Sequence, residues 1–319
     1  MMNESIEFNV GFSHGVEWGW PIGVYLLLAG ISGGALMIAL ALRYYKNQTQ
    51  ETPLLKAASL VSFVTIALGM IFLVGDLEKP LYFWKILINY NFTSVMSIGV
   101  LALCLYIPLT FLIVVLVFEA WIKEHLGHTP LSKLFFLFAL LRPLRPLIHL
   151  LAFIFALVVC AYTGFLISVL VRFPLLNTAI LPALFVISGL SAGTAFSSII
   201  ASYYFQAEPH HGDMKTLHTV EWPVMAIEML LLFMLFVSLI VGTNVDKHAA
   251  AAFFEGAYPP LFWIGVVGVG FGVPLVLNFL LGKTVAHSRI SFYLSGIASV
   301  LGVLSLRLFI LYAGQTFSA

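Results

Sequence analysis

Eight runs of apolar residues, each long enough to cross a bilayer, alternate with short polar turns along the chain. A spanning helix needs about 20 mostly apolar residues. Runs that meet this requirement fall at 20–42, 56–75, 94–118, 147–171, 179–204, 220–242, 260–281 and 290–313. A ninth run, 131–141, is too short to span and leads into Arg142-Pro143-Leu144-Arg145-Pro146. It is expected to lie at the interface or to form a half-helix against the bundle. The pattern predicts an all-α integral membrane protein with eight transmembrane helices, forming a single membrane domain over residues 1–319.

Composition agrees. Hydrophobic residues make up 61% of the chain and charged residues 9%, against about 25% charged in a soluble domain, so lipid is the expected solvent. The formal net charge of +1 gives no reason to expect nucleic acid. Cys104 and Cys160 lie inside apolar runs without CxxC or CxxCH spacing, which gives no support for a disulfide framework, an iron–sulfur cluster or covalent haem. Of nine histidines only His149 falls within a span, so a haem held by facing histidines is not expected. The cluster His210-His211…His218, flanked by Glu208 and Asp213, reads as a solvated loop, because it lacks a recognised metal-ligand spacing. No Walker loop or dinucleotide fingerprint is found. The N-terminus has no basic n-region or small-residue cleavage site, so the first run is expected to be kept as a membrane helix.

The loops after spans 1, 3, 5 and 7 carry ten Lys and Arg residues and the opposite side four. The positive-inside rule then places both termini outside the cytoplasm, on the periplasmic side of a bacterial inner membrane. A weak internal echo accompanies this topology. Ala29-Gly30-Ile31-Ser32-Gly33-Gly34-Ala35 in span 1 resembles Ser188-Gly189-Leu190-Ser191-Ala192-Gly193-Thr194 in span 5, half a chain later. Two readings stay open: a duplication giving four-helix halves at 1–175 and 176–319, or the small residues that close helix packing requires.

An ionisable group in hydrocarbon costs about 2.5–3.5 kcal/mol on insertion scales, so the depth of each polar side chain is informative. With a rise of about 1.5 Å per residue, Tyr25, Asp76, Tyr162 and Arg307 fall in the outer third of their spans. Glu228 lies mid-span, and Glu221 is seven residues earlier on the same face. Glu119 closes span 3 and His149 opens span 4 on the inner side. Acids and histidines so arranged suit a proton path through Glu119, Glu221, Glu228 and His149. Each residue also has a plainer reading. Asp76 suits a headgroup charge, Tyr25 and Tyr162 suit interfacial tyrosines, and Arg307 suits an outward-snorkelling base. Glu119 and Glu221 suit boundary residues, and Glu228 a structural partner of Arg307.

Several segments resemble the NrfD/PsrC family, the membrane subunits of polysulfide-reductase-type complexes. They are Trp20-Pro21-Ile22-Gly23-Val24-Tyr25 running into Gly30-Ile31-Ser32-Gly33-Gly34; Gly75-Asp76-Leu77-Glu78-Lys79-Pro80 with Phe83-Trp84 and Thr93-Ser94-Val95-Met96-Ser97; Tyr162-Thr163-Gly164-Phe165-Leu166; Leu181-Pro182-Ala183-Leu184-Phe185; and Arg307 with Leu311-Tyr312-Ala313-Gly314-Gln315. The resemblance implies an eight-helix subunit with no redox centre of its own. Such a subunit binds a quinone (menaquinone or ubiquinone) near the outer face. It exchanges electrons with a periplasmic ferredoxin-like Fe–S subunit, which serves a catalytic subunit carrying molybdopterin or several haems. Carried over by motif, the quinone contacts are Tyr25, Asp76 and Tyr162. Some relatives place Asn and His on the first helix where Ile22 and Tyr25 stand here. On this reading the tyrosines donate to the headgroup, Asp76 exchanges protons with it and Arg307 tunes an acid's charge. The competing reading is a proton or small-solute transporter using Glu221, Glu228 and Arg307.

Overall fold

The computed structural model describes residues 18–77, 79–126, 135–209, 211–280 and 288–316. Eight helices in it are long and apolar enough to cross a membrane. We number them α1 (Trp20–Tyr45), α2 (Pro53–Gly75), α3 (Val95–Val117), α4 (Arg145–Ser168), α5 (Ile180–Tyr204), α6 (Gly212–Val241), α7 (Leu261–Asn278) and α8 (Arg289–Thr316). Successive helices run in opposite directions, so one end of the bundle is here called the Trp20 end and the other the Tyr45 end.

Local chemistry starts several of these helices. Pro21, Pro53 and Pro146 occupy first-turn positions, where a missing N–H costs nothing. Thr52 caps α2 by accepting a hydrogen bond from Leu55 N at 3.2 Å. Gly212 enters α6 with φ at 57°, a left-handed backbone that suits glycine.

Two boundaries differ from the sequence expectation. α6 begins at Gly212 rather than at residue 220. Its first turns carry Asp213, Lys215 and His218, polar residues that hydropathy assigns to a loop. They belong to a helix that runs past the hydrocarbon, tied to α1's end by Lys46 Nζ to Asp213 at 2.9 Å. His218 is therefore helical, not part of a solvated loop; His210 lies outside the described residues. In the 131–141 run, residues 131–134 also lie outside them, and the remainder forms a short helix, Phe136–Leu141, that passes through a 3₁₀ turn directly into α4. α7 has its own irregularity: its backbone is wound as a π-helix over Leu261–Gly272 and Val276–Leu280.

The core gathers around α1 and α5, which cross at the echoed small residues. A Cβ on Gly34 would run into the backbone of Gly189 and Leu190, and one on Gly193 into Gly34 and Ala35. The echo thus marks a close helix–helix contact, the packing role that small residues serve in membranes. α2 and α4 pack against both α1 and α5, and α3 packs against α2 and α4; α6 and α8 pack against α5 and α7 against α8, with α8 also touching α1.

Candidate functional site

Near the Trp20 end an apolar groove of about 340 Å³ lies between α3 and α4, lined by Val95, Ile98, Gly99 and Ala102 on one wall and Tyr162 and Phe165 on the other. Gly99 is what lets the Tyr162 ring lie there, because a Cβ at that position would overlap the phenol. Among the described residues the Tyr162 hydroxyl reaches only Met96 O, at 3.5 Å, too long for a strong O–H···O bond. It is therefore free to turn to another acceptor.

Tyr25 is completely buried. Its hydroxyl has no hydrogen-bond partner among the described residues, an arrangement that costs about 1–3 kcal/mol when nothing compensates it. A Cβ on Gly69 of α2 would touch the Tyr25 ring at 3.4 Å, so Gly69 fixes the face of α2 that meets Tyr25. The two tyrosines lie within electrostatic reach of each other.

Asp76 follows seven residues after Gly69, on the same face of α2 and about 10 Å nearer the Trp20 end. It is exposed at the C-cap of α2. No side-chain bond to it is found among the described residues. A carboxylate at a helix C-terminus opposes the helix dipole by about 0.3–1 kcal/mol, so its placement does not serve the helix.

Arg307 stands apart from these three. Its side chain points toward the middle of the bundle and is completely buried. Nη2 donates to Phe185 O at 3.0 Å and to Ser188 Oγ at 2.8 Å, and the guanidinium lies 3.5 Å from the Phe185 ring centroid. Nη2 also sits beside Gly30, whose added Cβ would be 3.5 Å away. The structure thus places the Arg307 head at the α1–α5 crossing and within electrostatic range of Glu228, not beside Asp76.

Glu228 and Glu221 face α5 and α8 across two small cavities. One, of about 10 Å³, is lined by Glu228, Ser191 and Ser299. The other, of about 20 Å³, is lined by Glu221, His218, Thr194, Ser198 and Ser295. Each has room for about one water and offers the polar partners a water needs. His218 Nδ1 lies 3.4 Å from Glu221.

Glu119 and His149 do not join that line. Glu119 starts a short helix (Glu119–Leu126) at the Tyr45 end and takes Lys123 Nζ at 2.6 Å, Arg142 Nη2 at 2.9 Å and Arg145 Nη2 at 2.8 Å. Arg145 also meets Glu51 at 3.3 Å, and Glu51 pairs with Arg43 at 2.8 Å. This chain of charges ties the ends of α1 and α3 to the start of α4. Partial burial pushes the Glu119 carboxyl up, but the hydrogen bonds and charges of Lys123 and Arg142 outweigh it and hold the group below the usual carboxylate range. His149 is buried at the Tyr45 end of α4, with Nδ1 3.4 Å from the Tyr44 hydroxyl.

A second apolar groove, of about 220 Å³, opens between α6 and α7 and is walled by aromatic rings including Phe233, Phe236, Phe254 and Trp263.

The Polysulphide reductase, NrfD family profile matches residues 9–319. A polysulfide reductase chain of Wolinella succinogenes is 40% identical over 310 residues, covering 95% of this sequence and 95% of its own. Protein NrfD of Escherichia coli is 38% identical over 309 residues, covering 93% of this chain and 95% of its own. A selenate reductase subunit of Mesobacillus selenatarsenatis is 25% identical over 321 residues, covering 91% of this chain and 72% of its own. The chain belongs to the NrfD family. As a member it is a multi-pass integral membrane protein, consistent with a bacterial inner membrane.

In this NrfD-family chain, sequence reasoning missed the hydroxyl residues that accompany the acids. Ser191, Thr194 and Ser198 stand at i, i+3 and i+7 on α5, and Ser295 and Ser299 at i and i+4 on α8. That spacing puts each set on one helix face, opposite the seven-residue step from Glu221 to Glu228. The periodicity is visible in the sequence; which helix faces which is not.

Proposed function

We propose that this chain is the quinone-binding membrane subunit of a respiratory reductase complex, exchanging electrons between the menaquinone or ubiquinone pool and an Fe–S partner docked at its Trp20 end. That end is then periplasmic, and a further subunit carrying molybdopterin or several haems performs the terminal chemistry. One observation carries the reading: an apolar groove walled by Tyr162, whose hydroxyl is weakly held, with the buried, partnerless hydroxyl of Tyr25 within electrostatic reach of Tyr162. A flat ring with two carbonyl oxygens and an apolar tail fits such a place. The buried Tyr25 donor suits an acceptor oxygen, and the groove wall suits the tail.

When bound, a quinone supplies two-electron, two-proton redox chemistry. The residues of this chain supply the rest. Tyr162 turns its hydroxyl from Met96 O toward the groove and donates. Tyr25 donates from the buried side. Gly69 and Gly99 keep the two rings in place, and the apolar walls exclude water. Asp76, exposed at the mouth end of the α2 face that meets Tyr25, takes up or delivers protons at the aqueous surface.

The α6 acids favour an accompanying proton path. Glu221 at the Tyr45 end and Glu228 in mid-bundle each border a water-sized, hydroxyl-lined cavity. Arg307 stands at the far end of that line. Glu119 and His149 are assigned to holding the Tyr45 end together, because a carboxylate with three cationic partners resists taking up a proton. A quinone analogue binding to the purified complex, displaced by added quinone and weakened in Tyr162→Phe and Tyr25→Phe, tests the reading. An unchanged affinity in both variants contradicts it.

A further inference from the structure

The quinone reading leaves one buried polar cluster unused. Ser32 of α1, Ser62 of α2 and Tyr106 of α3 are completely buried. Ser32 Oγ donates to Ser62 O at 2.7 Å. Tyr106 Oη lies 3.0 Å from Ser32 Oγ and 2.9 Å from Ser62 Oγ, and the two serine oxygens are 3.2 Å apart. With Ser32's proton on the Ser62 carbonyl, the remaining two protons have two orders. Either Ser62 donates to Tyr106 and Tyr106 to Ser32, or Tyr106 donates to Ser62 and Ser62 to Ser32. Both orders make the same number of hydrogen bonds and carry no net charge. Switching between them turns the Tyr106 proton around, which is what a relay station requires.

The cluster is in register with the groove. Ser32 is seven residues from Tyr25 on α1. Ser62 is seven from Gly69, which meets the Tyr25 ring, and Tyr106 is seven from Gly99, which meets the Tyr162 ring. On all three helices the step is two turns, about 10 Å, along one face. Thr65, buried one turn beyond Ser62, lies on the groove side. Ser59 on α2 and Thr110 on α3, also buried, lie about one turn beyond on the Tyr45 side.

We propose that the Ser32–Ser62–Tyr106 cluster is a proton relay between the groove and the half of the bundle nearer the Tyr45 end, with Tyr106 as its pivot. This rests on the quinone reading above. Per passage, one proton enters a hydroxyl lone pair on one side and one leaves from the other. The three hydroxyls return to their starting state, and no electron passes through them. The electrons of the redox step travel separately, to or from the Fe–S partner.

The test uses Tyr106→Phe in the intact complex. The expected result is about a tenfold loss of quinol-linked turnover, a larger solvent deuterium isotope effect, and an affinity for a quinone analogue within about twofold of wild type. An O–H stretching band that shifts in infrared difference spectra on electrochemical quinone reduction should be lost. Wild-type turnover with an unchanged isotope effect and band would overturn the relay. Should Tyr106→Phe fail to assemble, Ser62→Ala and Ser62→Thr make the same comparison. A slow alanine variant beside a fast threonine variant supports the relay, and equal rates overturn it. Absence of analogue binding to the wild-type complex would instead refute the quinone reading itself.

Discussion

Gly99 lies against the ring of Tyr162 so closely that a single added methyl group at position 99 would overlap the phenol. The groove wall and the polar group at its base are therefore set by one contact between α3 and α4. Gly99→Ala should force the ring outward into the groove. Affinity for a quinone analogue should fall about tenfold or more, while the subunit still assembles. Titration of the purified complex with the analogue checks this.

Among the described residues no side-chain bond ties Asp76 into the fold. Replacing it with Asn should leave assembly and melting temperature close to wild type, relieve the opposed helix dipole, and largely abolish quinol-linked turnover. Turnover at the wild-type rate would remove Asp76 from the proton chemistry.

Glu228 has a different expected phenotype. Glu228→Gln keeps the side chain's shape and hydrogen-bonding capacity but not its proton exchange. Electron transfer should persist while proton movement across vesicle membranes, followed with a trapped pH dye, is lost. Equal loss of both would place Glu228 in the electron-coupled site instead.

The Glu119 network predicts a pH effect with a definite sign. A carboxyl held below its ordinary range stabilises the folded state above the ordinary carboxylate pKa, and this stabilisation is lost as pH falls through the lowered value. Glu119→Gln should therefore lower the melting temperature in detergent at neutral pH and narrow the gap from wild type under strong acid. A melting scan against pH reads this directly. An unchanged gap at all pH values would contradict it.

The α1–α5 crossing predicts a purely structural defect. Gly193→Val places a branched side chain where the backbone of Gly34 and Ala35 passes. Overpacking of this kind costs about 1–3 kcal/mol or more. The yield of folded subunit should drop without any specific change in quinone affinity per folded molecule.

The eight spans were legible because 20 apolar residues in a row leave few alternatives to a membrane helix. The early start of α6 was not, because its first turns are polar and lie beyond the hydrocarbon, where only helical periodicity, and not hydropathy, reveals them. The depths of Tyr25, Asp76 and Tyr162 followed from the rise per residue. That Tyr162 lies in a groove beside Gly99 did not follow, because it depends on which helices are neighbours. The partners of Arg307, Phe185 O and Ser188 Oγ on α5, were not legible either, because they too depend on which helices are neighbours. The Ser32–Ser62–Tyr106 cluster was invisible for a related reason. Serines and a tyrosine in apolar runs resemble packing residues until three helices bring their oxygens together.

Photolabelling of the intact complex with a reactive quinone analogue, followed by peptide mapping, tests the central claim most directly. The account predicts label on the α3 stretch 95–102 and the α4 stretch 158–165, competed away by excess quinone. Label confined to the aromatic groove between α6 and α7, within 229–271, or label that excess quinone does not displace, would contradict it.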